Sequence, residues 1–574
     1  MTGRSSWNVP PSLYAITANN PTHGFVERAD LIPNAKKGVI PLSIGDPTVF
    51  GNLLPCEEIL APVVPSLRNP KNYGYIPSTG VTAAKEAVAE YSSNGGVKVK
   101  PQDVILTCGC AQALDMCITV LANRGQNILI PRPGFCIYKT HAEFLSITVK
   151  YYNLLPERSW EVDLAHLESQ IDPNTAAIVV NNPSNPCGSV FGKQHLKDIL
   201  AVAAKHYLPI ISDEINEYIV FEGQEYFPMA ALSEDVPILA CSALTKRFLV
   251  PGWRTGWIII HDRHDVFARG VKKGLQNLSQ KLMGGSSLVQ GALPSILKNT
   301  PKKFFDRTIS VVQKNAEVAY KVLSTIPGLR PVMPQGAMYL LVGLDVNRFP
   351  KFASDTEFVL ALFAEESVLC LPGQVIPLSI GDPTVFGNLL PCEEILAPVV
   401  PSLRNPKNYG YIPSTGSTAA KEAVAEYSSN GGIKVKPQDV ILTCGCAQAL
   451  DMCITVLANR GQNILIPRPC FCIYKTHAEF LGITVKFYNL LPERSWEVDL
   501  AHLESQIDPN TAAIVVNNPS NPCGSVFSKQ HLKDILAVAA KHYLPIIADE
   551  INEYIVSNCA AFFIGTTVAS EIRR

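Results

Sequence analysis

The sequence predicts an α/β fold, a three-layer sandwich in which helices cover both faces of a mostly parallel sheet. Short apolar strands alternate with helical patterns from Val39 onward, and this alternation is typical of parallel sheets buried on both sides. Glycine and polar residues stand where several of these strands end. In such sheets, ligands bind at the carboxyl ends of strands, so these residues mark the expected site.

The predicted elements follow one another at regular spacing. Each strand is an apolar run bounded by polar or turn-forming residues, and each helix has an apolar stripe at helical spacing. The predicted strands are 103–107, 127–131, 176–181, 208–213, 237–241 and 255–260. The predicted helices are 111–121, 138–145, 195–206 and 356–367, with further helical patterns across 265–323 and a strand-like run at 338–342.

The chain repeats itself, so a length of 574 residues overstates its number of distinct domains. Residues 375–556 repeat 39–220 at a constant offset of 336, with seven substitutions. We therefore divide the chain into an arm (1–38), a domain lacking its C-terminal end (39–374), a partial second copy (375–556) and an unmatched tail (557–574). A tandem duplication and a misjoined gene both account for this arrangement.

Composition excludes several functional classes. The net charge of −1 gives no reason to expect nucleic acid or an acidic membrane surface as partner. The first twenty residues contain no apolar signal core, and no apolar run reaches membrane-spanning length. The 16 cysteines are expected to be reduced thiols of a cytoplasmic protein, and the Cys108-Gly109-Cys110 spacing does not favour a metal site.

One lysine and one arginine stand close together between two apolar strands. Lys246 and Arg254 lie in the stretch SALTKRFLVPGWRTGW. A buried lysine can react with a carbonyl group, and an arginine offers a planar fork to an anion such as phosphate. The pattern alone is equally consistent with a lysine whose apolar stem packs on the surface while its amine reaches water.

Four motifs in a fixed order resolve this ambiguity. They are LSIGDPTVFGNL, NNPSNPCGSVF, KRFLVPGWRTGW and GLRPVMPQGAMYL. Together they resemble the class I aminotransferases, which are pyridoxal 5′-phosphate (PLP) enzymes of fold type I, and within that family the branch that acts on aromatic amino acids. The resemblance implies a homodimer whose N-terminal arm reaches over the neighbouring subunit. It also implies that the segment 328–346, with its strand-like run, begins a small α+β domain that is truncated here.

The resemblance also implies roles for individual residues. Lys246 would bind PLP covalently and act as the catalytic acid–base, and Asp213 would pair with the pyridine nitrogen. Asn185 would donate to the ring hydroxyl and contribute to substrate binding, and Phe135 would stack on the ring. From the residues alone, Asp213 could equally be a helix N-cap, the Asn185 segment a turn, and Phe135 an ordinary core residue.

A second group of residues would hold the phosphate and the substrate. Backbone amides at a helix start can bind phosphate without side chains. Arg254 would join them, and Tyr75 would reach the phosphate from the partner subunit. Gly45 would lie beside the substrate carboxylate. The expected amides belong to Gly109, Cys110 and Ala111.

Two departures from the family pattern bear on activity. Asn216 stands where the family has a tyrosine that donates to the ring hydroxyl; as a cofactor-binding residue its amide would still donate there, with shorter reach. The strand carrying the arginine that clamps the substrate carboxylate is expected after Leu371, but the second copy begins there. The second copy in turn ends before a counterpart of Lys246.

The resemblance implies transamination of an aromatic amino acid, with 2-oxoglutarate as acceptor, in amino-acid catabolism. Two alternatives remain open at this point. One is other PLP chemistry, such as β-elimination from cysteine conjugates. The other is a catalytically impaired chain that binds PLP or serves as a structural dimer partner. The expected small-molecule partners are an amino acid and a 2-oxo acid.

Overall fold

The chain divides into two compact units that do not coincide with the two sequence copies. The computed structural model describes residues 7, 9–17, 32–42, 53–282, 284–372, 395, 397–405, 408–429 and 434–553. The large unit is 18–412, and the small unit combines 1–17 with 413–574. The first part of the second copy, up to residue 412, therefore belongs to the unit that contains the first copy.

An eight-stranded sheet forms the centre of the large unit, in the order β2-β9-β8-β7-β6-β3-β4-β5. Its strands are β2 (Val104–Thr107), β3 (Asn127–Arg132), β4 (Thr148–Leu155), β5 (Glu161–Val162), β6 (Thr175–Asn181), β7 (Ile210–Asp213), β8 (Ile238–Ala243) and β9 (Gly256–His261). The six predicted strands are present, each within two residues of its expected bounds.

The sheet is parallel only in its middle. β4, β3, β6, β7 and β8 run parallel, whereas β9 is antiparallel to both β8 and β2, and β5 is antiparallel to β4. Only a single 3₁₀ turn, Pro251–Trp253, lies between β8 and β9, and strands joined without a long crossover helix pair antiparallel. Apolar composition alone therefore did not reveal the direction of β2 and β9.

Both faces of the sheet are buried, as the apolar strands predicted. Successive residues of one strand join opposite hydrophobic clusters: Leu129 and Ile178 lie in one cluster, and Ile128 and Val179 in the other. Alternation of side chains across a pleated strand produces this division. The three-layer sandwich follows from it.

Helices cover these faces and extend the unit. They are Glu57–Leu60, Val63–Leu67, Thr82–Ser93, Gly109–Leu121, Ile137–Phe144, Leu164–Ser169, Lys193–Lys205, Val271–Ser279, Ser287–Asn299, Lys302–Leu323, Asp355–Glu366 and, from the second copy, Val399–Leu403. The helical region predicted at 265–323 is thus three helices.

Small strand pairs complete the large unit. β1 (Ile40–Pro41) pairs in parallel with β12 (Val368–Leu369), and β10 (Leu329–Pro331) pairs antiparallel with β11 (Val342–Leu344). The strand predicted at 338–342 is wrong for most of its length, because pairing begins only at Val342.

The small unit contains a five-stranded sheet in the order β15-β14-β13-β16-β17. The strands are β13 (Asn463–Arg468), β14 (Thr484–Leu491), β15 (Glu497–Val498), β16 (Thr511–Asn517) and β17 (Ile546–Asp549). Its helices are Leu13–Thr17, Thr418–Ser429, Gly445–Leu457, Ile473–Phe480, Leu500–Ser505 and Lys529–Lys541.

The copy of β2 is not a strand in the small unit. Residues 440–443 have the sequence of β2 but form no ladder, because the sequence contains no copy of β9 to pair with them. Ile105 in β2 is 2% exposed, whereas its copy Ile441 is 54% exposed. The same sequence therefore folds differently when its sheet partner is missing.

The first part of the N-terminal arm, residues 7 and 9–17, packs on the second copy of its own chain. The Ser12 backbone N–H donates to Val456 O at 2.7 Å, and the Tyr14 hydroxyl donates to Leu481 O at 3.0 Å. Trp7 makes an edge-to-face contact with Tyr543, with ring centroids 5.7 Å apart. The resemblance implied an arm that reaches over a neighbouring subunit; within this chain the start of the arm contacts the second copy, while Asn34 Nδ2 donates to Glu365 O of the first copy at 2.9 Å.

Candidate active site

The predicted site residues converge on one edge of the eight-stranded sheet. β6, β7 and β8 are parallel, and Asn181, Asp213 and Cys241 lie side by side near their carboxyl ends. Because β9 is antiparallel to β8 and to β2, β9 starts and β2 ends at this same edge, where Gly256 pairs with Thr107. The mixed sheet thus places Gly109 and Arg254 near Asp213.

Lys246 lies buried in the connection between β8 and β9. Its side chain is 5% exposed, and Nζ lies 5.5 Å from the ring centroid of Tyr339 and 5.6 Å from that of Tyr411. The alternative of a lysine whose amine reaches water is wrong, because the whole residue is enclosed. A buried amine between aromatic rings is placed to react with a carbonyl group that enters this site.

Asp213 ends β7 as a fully enclosed carboxyl group. The Tyr138 hydroxyl donates to Asp213 Oδ2 at 2.6 Å, and the Ile215 backbone N–H donates to Oδ1 at 3.2 Å. Burial raises the pKa of Asp213, and these hydrogen bonds together with the Lys246 charge oppose that rise. A cationic group bound beside it would hold the carboxylate ionised, and the carboxylate would keep the proton on that group.

Asn185 is positioned by the residue that ends β6. The Asn185 backbone N–H donates to Asn181 Oδ1 at 2.6 Å, and Asn181 Nδ2 donates to Asp213 O at 3.1 Å. Asn185 itself is buried. The Asn181 side chain therefore links Asn185 to Asp213 by hydrogen bonds, although the two residues lie 28 positions apart in the sequence.

Asn216 is fully buried, and its amide nitrogen is already engaged, whereas its buried Oδ1 has no hydrogen-bond partner among the described residues. Its Nδ2 donates to Pro183 O at 3.2 Å. Tyr339 lies beside it, and burial raises the pKa of the Tyr339 hydroxyl, with a further increase from the Asp213 charge and an opposing hydrogen bond with Asn216. A tyrosine from a distant segment thus occupies the neighbourhood where the family pattern has a tyrosine at position 216.

The start of the helix Gly109–Leu121 forms a cradle with Arg254. Gly109 has φ +77°, and a Cβ there would lie 2.6 Å from Arg254 Nη2. A Cβ on Gly256 would lie 2.8 Å from the Cys110 nitrogen. Two glycines therefore allow the guanidinium, the helix start and β9 to approach closely, and this arrangement suits a phosphate group.

The remaining predicted site residues differ in how deeply they are buried and in what they contact. Phe135 is half-buried and packs edge-to-face on Tyr138, with centroids 5.9 Å apart. Cys110 Sγ lies 3.7 Å from Asp213 Oδ1, and Ala111 is half-buried in the first turn of its helix. Tyr75 is 53% exposed. Gly45 lies outside the described residues.

Sequence reasoning missed three tyrosines. Tyr138 supports Asp213 from 75 positions away, Tyr339 lies against Lys246, and Tyr411 lies against both Lys246 and Arg254. Tyr339 falls within a motif that carried the family resemblance. Tyr411 is Tyr75 displaced by the repeat offset, so the repeat itself offered a signal for it.

These residues fit PLP. The buried amine of Lys246 suits its aldehyde, the Asp213 carboxyl suits a ring nitrogen, and the cradle that a Cβ on Gly109 would fill suits its phosphate. The three groups belong to one sheet edge in the described part of the chain. Fold and site together define a fold type I PLP enzyme.

The comparisons with known proteins give the family. Residues 37–377 and 373–569 each match the family described as aminotransferase class I and II. The chain belongs to this family, whose cofactor is PLP, and the resemblance seen in its motifs is confirmed.

Relatives and solved structures agree with that assignment. The chain is 53% identical over 369 residues to the tyrosine aminotransferase of Mus musculus, which covers 64% of this chain and 81% of the relative. The Homo sapiens tyrosine aminotransferase is 53% identical over 373 residues, or 65% and 82% of the two chains. A crystal structure of tyrosine aminotransferase from Leishmania infantum is 32% identical with a TM-score of 0.61, covering 64% of this chain and 91% of that one.

The described residues contain neither a candidate membrane span nor a candidate metal cluster. None of their helices combines the length and the apolar character needed to cross a membrane. They also contain no cluster of three or more His, Cys, Asp or Glu side chains suited to a metal ion.

Proposed function

We propose that this chain transfers the amino group of an aromatic amino acid, with tyrosine as the first candidate, to 2-oxoglutarate. The observation that carries the proposal is the convergence of Lys246, Asp213 and Arg254 at one sheet edge. The 53% identity to tyrosine aminotransferases supports the substrate class. A role in amino-acid catabolism and a cytoplasmic location remain expectations.

Each residue would have a distinct part in this reaction. When bound, PLP supplies the electron sink that allows the α C–H bond of the amino acid to break. Lys246 Nζ would hold the cofactor and then carry the proton between the α-carbon and the cofactor. Asp213 would keep the proton on the ring nitrogen, Asn185 would orient the ring, and Arg254 with the Gly109 cradle would hold the phosphate.

Covalent trapping tests the proposal. Borohydride reduction of the PLP-loaded chain should place the pyridoxyl group on Lys246, as read by peptide mass mapping. The Lys246→Ala variant is the control and should lose the label without gaining it elsewhere. A label on another lysine, or none in the unaltered chain, would contradict the proposed function.

A weakened enzyme is the second candidate, and two features favour it. Asn216 replaces the tyrosine of the family pattern, and the second copy begins where the arginine strand is expected. Losing one partner of a buried charged pair costs about 2–5 kcal/mol, which corresponds to roughly thirty- to several-thousand-fold in affinity. Lys246 would still bind PLP while the substrate carboxylate is held weakly.

Single-turnover kinetics separate the two candidates. Stopped-flow half-transamination with tyrosine should give an affinity at least about thirtyfold weaker than that of the Mus musculus relative measured in parallel. An equal affinity would mean that another group holds the carboxylate, and the weakened-enzyme candidate would fail.

A further inference from the structure

Two copies of one tyrosine segment have different environments in this chain. The sequence YGYIPSTG occurs at 73–80 and again at 409–416. In the first copy Tyr75 is 53% exposed. In the second copy, the Tyr411 ring centroid lies 5.6 Å from Lys246 Nζ and 5.6 Å from Arg254 Cζ. Tyr411 belongs to the same compact unit as both cations.

The backbone beside Tyr411 is attached to the turn that carries Arg254. The Gly252 N–H donates to Tyr409 O at 2.7 Å. A Cβ on Gly252 would lie 2.5 Å from Gly410 O, so only glycine permits this approach. Tyr409 is buried at 3% exposure, which anchors the segment next to Tyr411.

A second attachment lies a few residues earlier. Arg404 donates to both carboxylate oxygens of Glu57, at 2.9 and 3.2 Å. Both side chains are exposed, so this ion pair adds little to stability. It does give the segment a second point of contact with the first copy. Attached at both points, the segment holds the Tyr411 ring against the two cations.

We infer that Tyr411 is a cofactor-contacting residue supplied by the second copy of the same chain, with its hydroxyl donating to the cofactor phosphate. A phenol can donate one hydrogen bond to an anion, and Tyr411 lies beside the guanidinium that would bind that anion. This inference rests on the proposed function, because Arg254 and Lys246 are taken as the two ends of the cofactor site. The chain then needs no second molecule to complete the phosphate site.

The chain offers a matched pair of variants. Tyr411→Phe and Tyr75→Phe remove the same hydroxyl from the same local sequence. The probes are PLP and pyridoxal, which lacks the phosphate, titrated into the apo full-length chain and followed by absorbance. Because Tyr411→Phe removes a hydrogen bond to the charged phosphate, it should weaken PLP binding about tenfold to a hundredfold. It should change pyridoxal binding less than about twofold, and Tyr75→Phe should change neither.

Other results would overturn the inference. A selective loss in Tyr75→Phe would mean that a second molecule supplies the tyrosine. Equal or absent losses in the two variants, or an equal loss of pyridoxal and PLP in Tyr411→Phe, would remove the phosphate contact from Tyr411. Circular dichroism melting confirms that each variant is folded, and Gly252→Ala should repeat the loss because it blocks the Tyr409–Gly410 approach.

The proposed function fails in a different way. If the unaltered chain does not bind PLP, or borohydride does not label Lys246, the proposed function is wrong. If labelling succeeds and only the Tyr411→Phe result is negative, the inference alone is wrong.

Discussion

Gly109 is the single residue on which the phosphate cradle most depends. Alanine at this position would place its Cβ against the Arg254 guanidinium and would also strain a backbone with φ +77°. We expect Gly109→Ala to weaken PLP binding at least about tenfold by displacing Arg254. Absorbance titration of the apo chain measures this.

The second copy supplies the control for backbone strain. Gly445 is the same residue in the same helix start, with φ +67°, and the sequence has no counterpart of Arg254 in that copy. Gly445→Ala should therefore lower stability by a similar amount without changing PLP affinity. An equal loss of affinity in both variants would contradict the role assigned to Gly109.

Glu214, next to Asp213, should make stability depend on pH. Burial raises its pKa from an ordinary value of 4.5 to about 7, and nearby Glu217 adds to the rise. The folded-state pKa exceeds the unfolded one, so the group costs nothing below about 4.5, and its cost grows until pH 7. Glu214→Gln should therefore stabilise the chain at pH 8 but not at pH 5, by roughly 1–3 kcal/mol.

Urea unfolding at the two pH values tests this prediction. Gln can still accept hydrogen bonds from the Ser212 hydroxyl and the Met229 N–H, which donate to Glu214 Oε1 at 2.8 and 3.2 Å. Glu550→Gln is the matched comparison, because Glu550 is the same residue in the second copy, where it is only half-buried and burial also raises its pKa; its pH-dependent gain in stability should be smaller. A pH-independent effect of Glu214→Gln would refute the burial argument.

For individual residues, the sequence indicated which side chains belong to the candidate site better than it indicated their hydrogen-bond partners. Lys246, Asp213, Asn185 and Arg254 were predicted as site residues because their motifs follow a fixed order, and the structure brings them to the same sheet edge. Tyr138 was not, since nothing local indicates that its hydroxyl meets Asp213, 75 positions later. Only the fold determines such long-range hydrogen bonds.

The contact of the N-terminal arm with the second copy can be tested by comparing two equivalent tyrosines, one in each copy. Tyr543 contacts Trp7 in the small unit, whereas its first-copy counterpart Tyr207 is 95% exposed. Both residues have φ near +50°, so replacing either one with alanine should change the backbone strain by the same amount. Tyr543→Ala should lower the free energy of unfolding by about 0.5–1.5 kcal/mol more than Tyr207→Ala, which is the usual range for an aromatic pair.

Chemical denaturation of the two variants gives the comparison. If the two alanine variants lose equal stability, the Trp7 contact contributes nothing. A Trp7→Ala variant should reproduce the Tyr543→Ala loss, and combining the two changes should add little, because each removes the same ring pair.

The strands show where pattern reasoning works and where it stops. Apolar runs located all six predicted strands of the large unit, because burial on both faces requires such runs. The apolar pattern did not indicate the direction of the strands, because β9 is as apolar as β8 but runs antiparallel to it. The copy of β2 shows that even strand formation depends on a partner, since Ile441 is 54% exposed in an unpaired segment.

In the whole molecule, the two units should respond differently to the cofactor. Lys246, Asp213, Arg254 and Tyr411 all belong to the large unit. The small unit repeats Asp213 as Asp549, buried at 3%, but the sequence holds no copy of the lysine. A ligand stabilises only the unit that binds it, by about 2.7 kcal/mol at a free concentration one hundred times its Kd.

Differential scanning calorimetry should therefore resolve two transitions, of which PLP raises only one. Lys246→Ala is the control and should reduce that shift without moving the second transition. The β17 carboxylate Asp549 makes the opposite outcome informative: if PLP raised both transitions, the second copy would bind the cofactor without a lysine. The half-site, consisting of a carboxylate and a helix start, would then be sufficient for binding, and Lys246 would be needed only for chemistry.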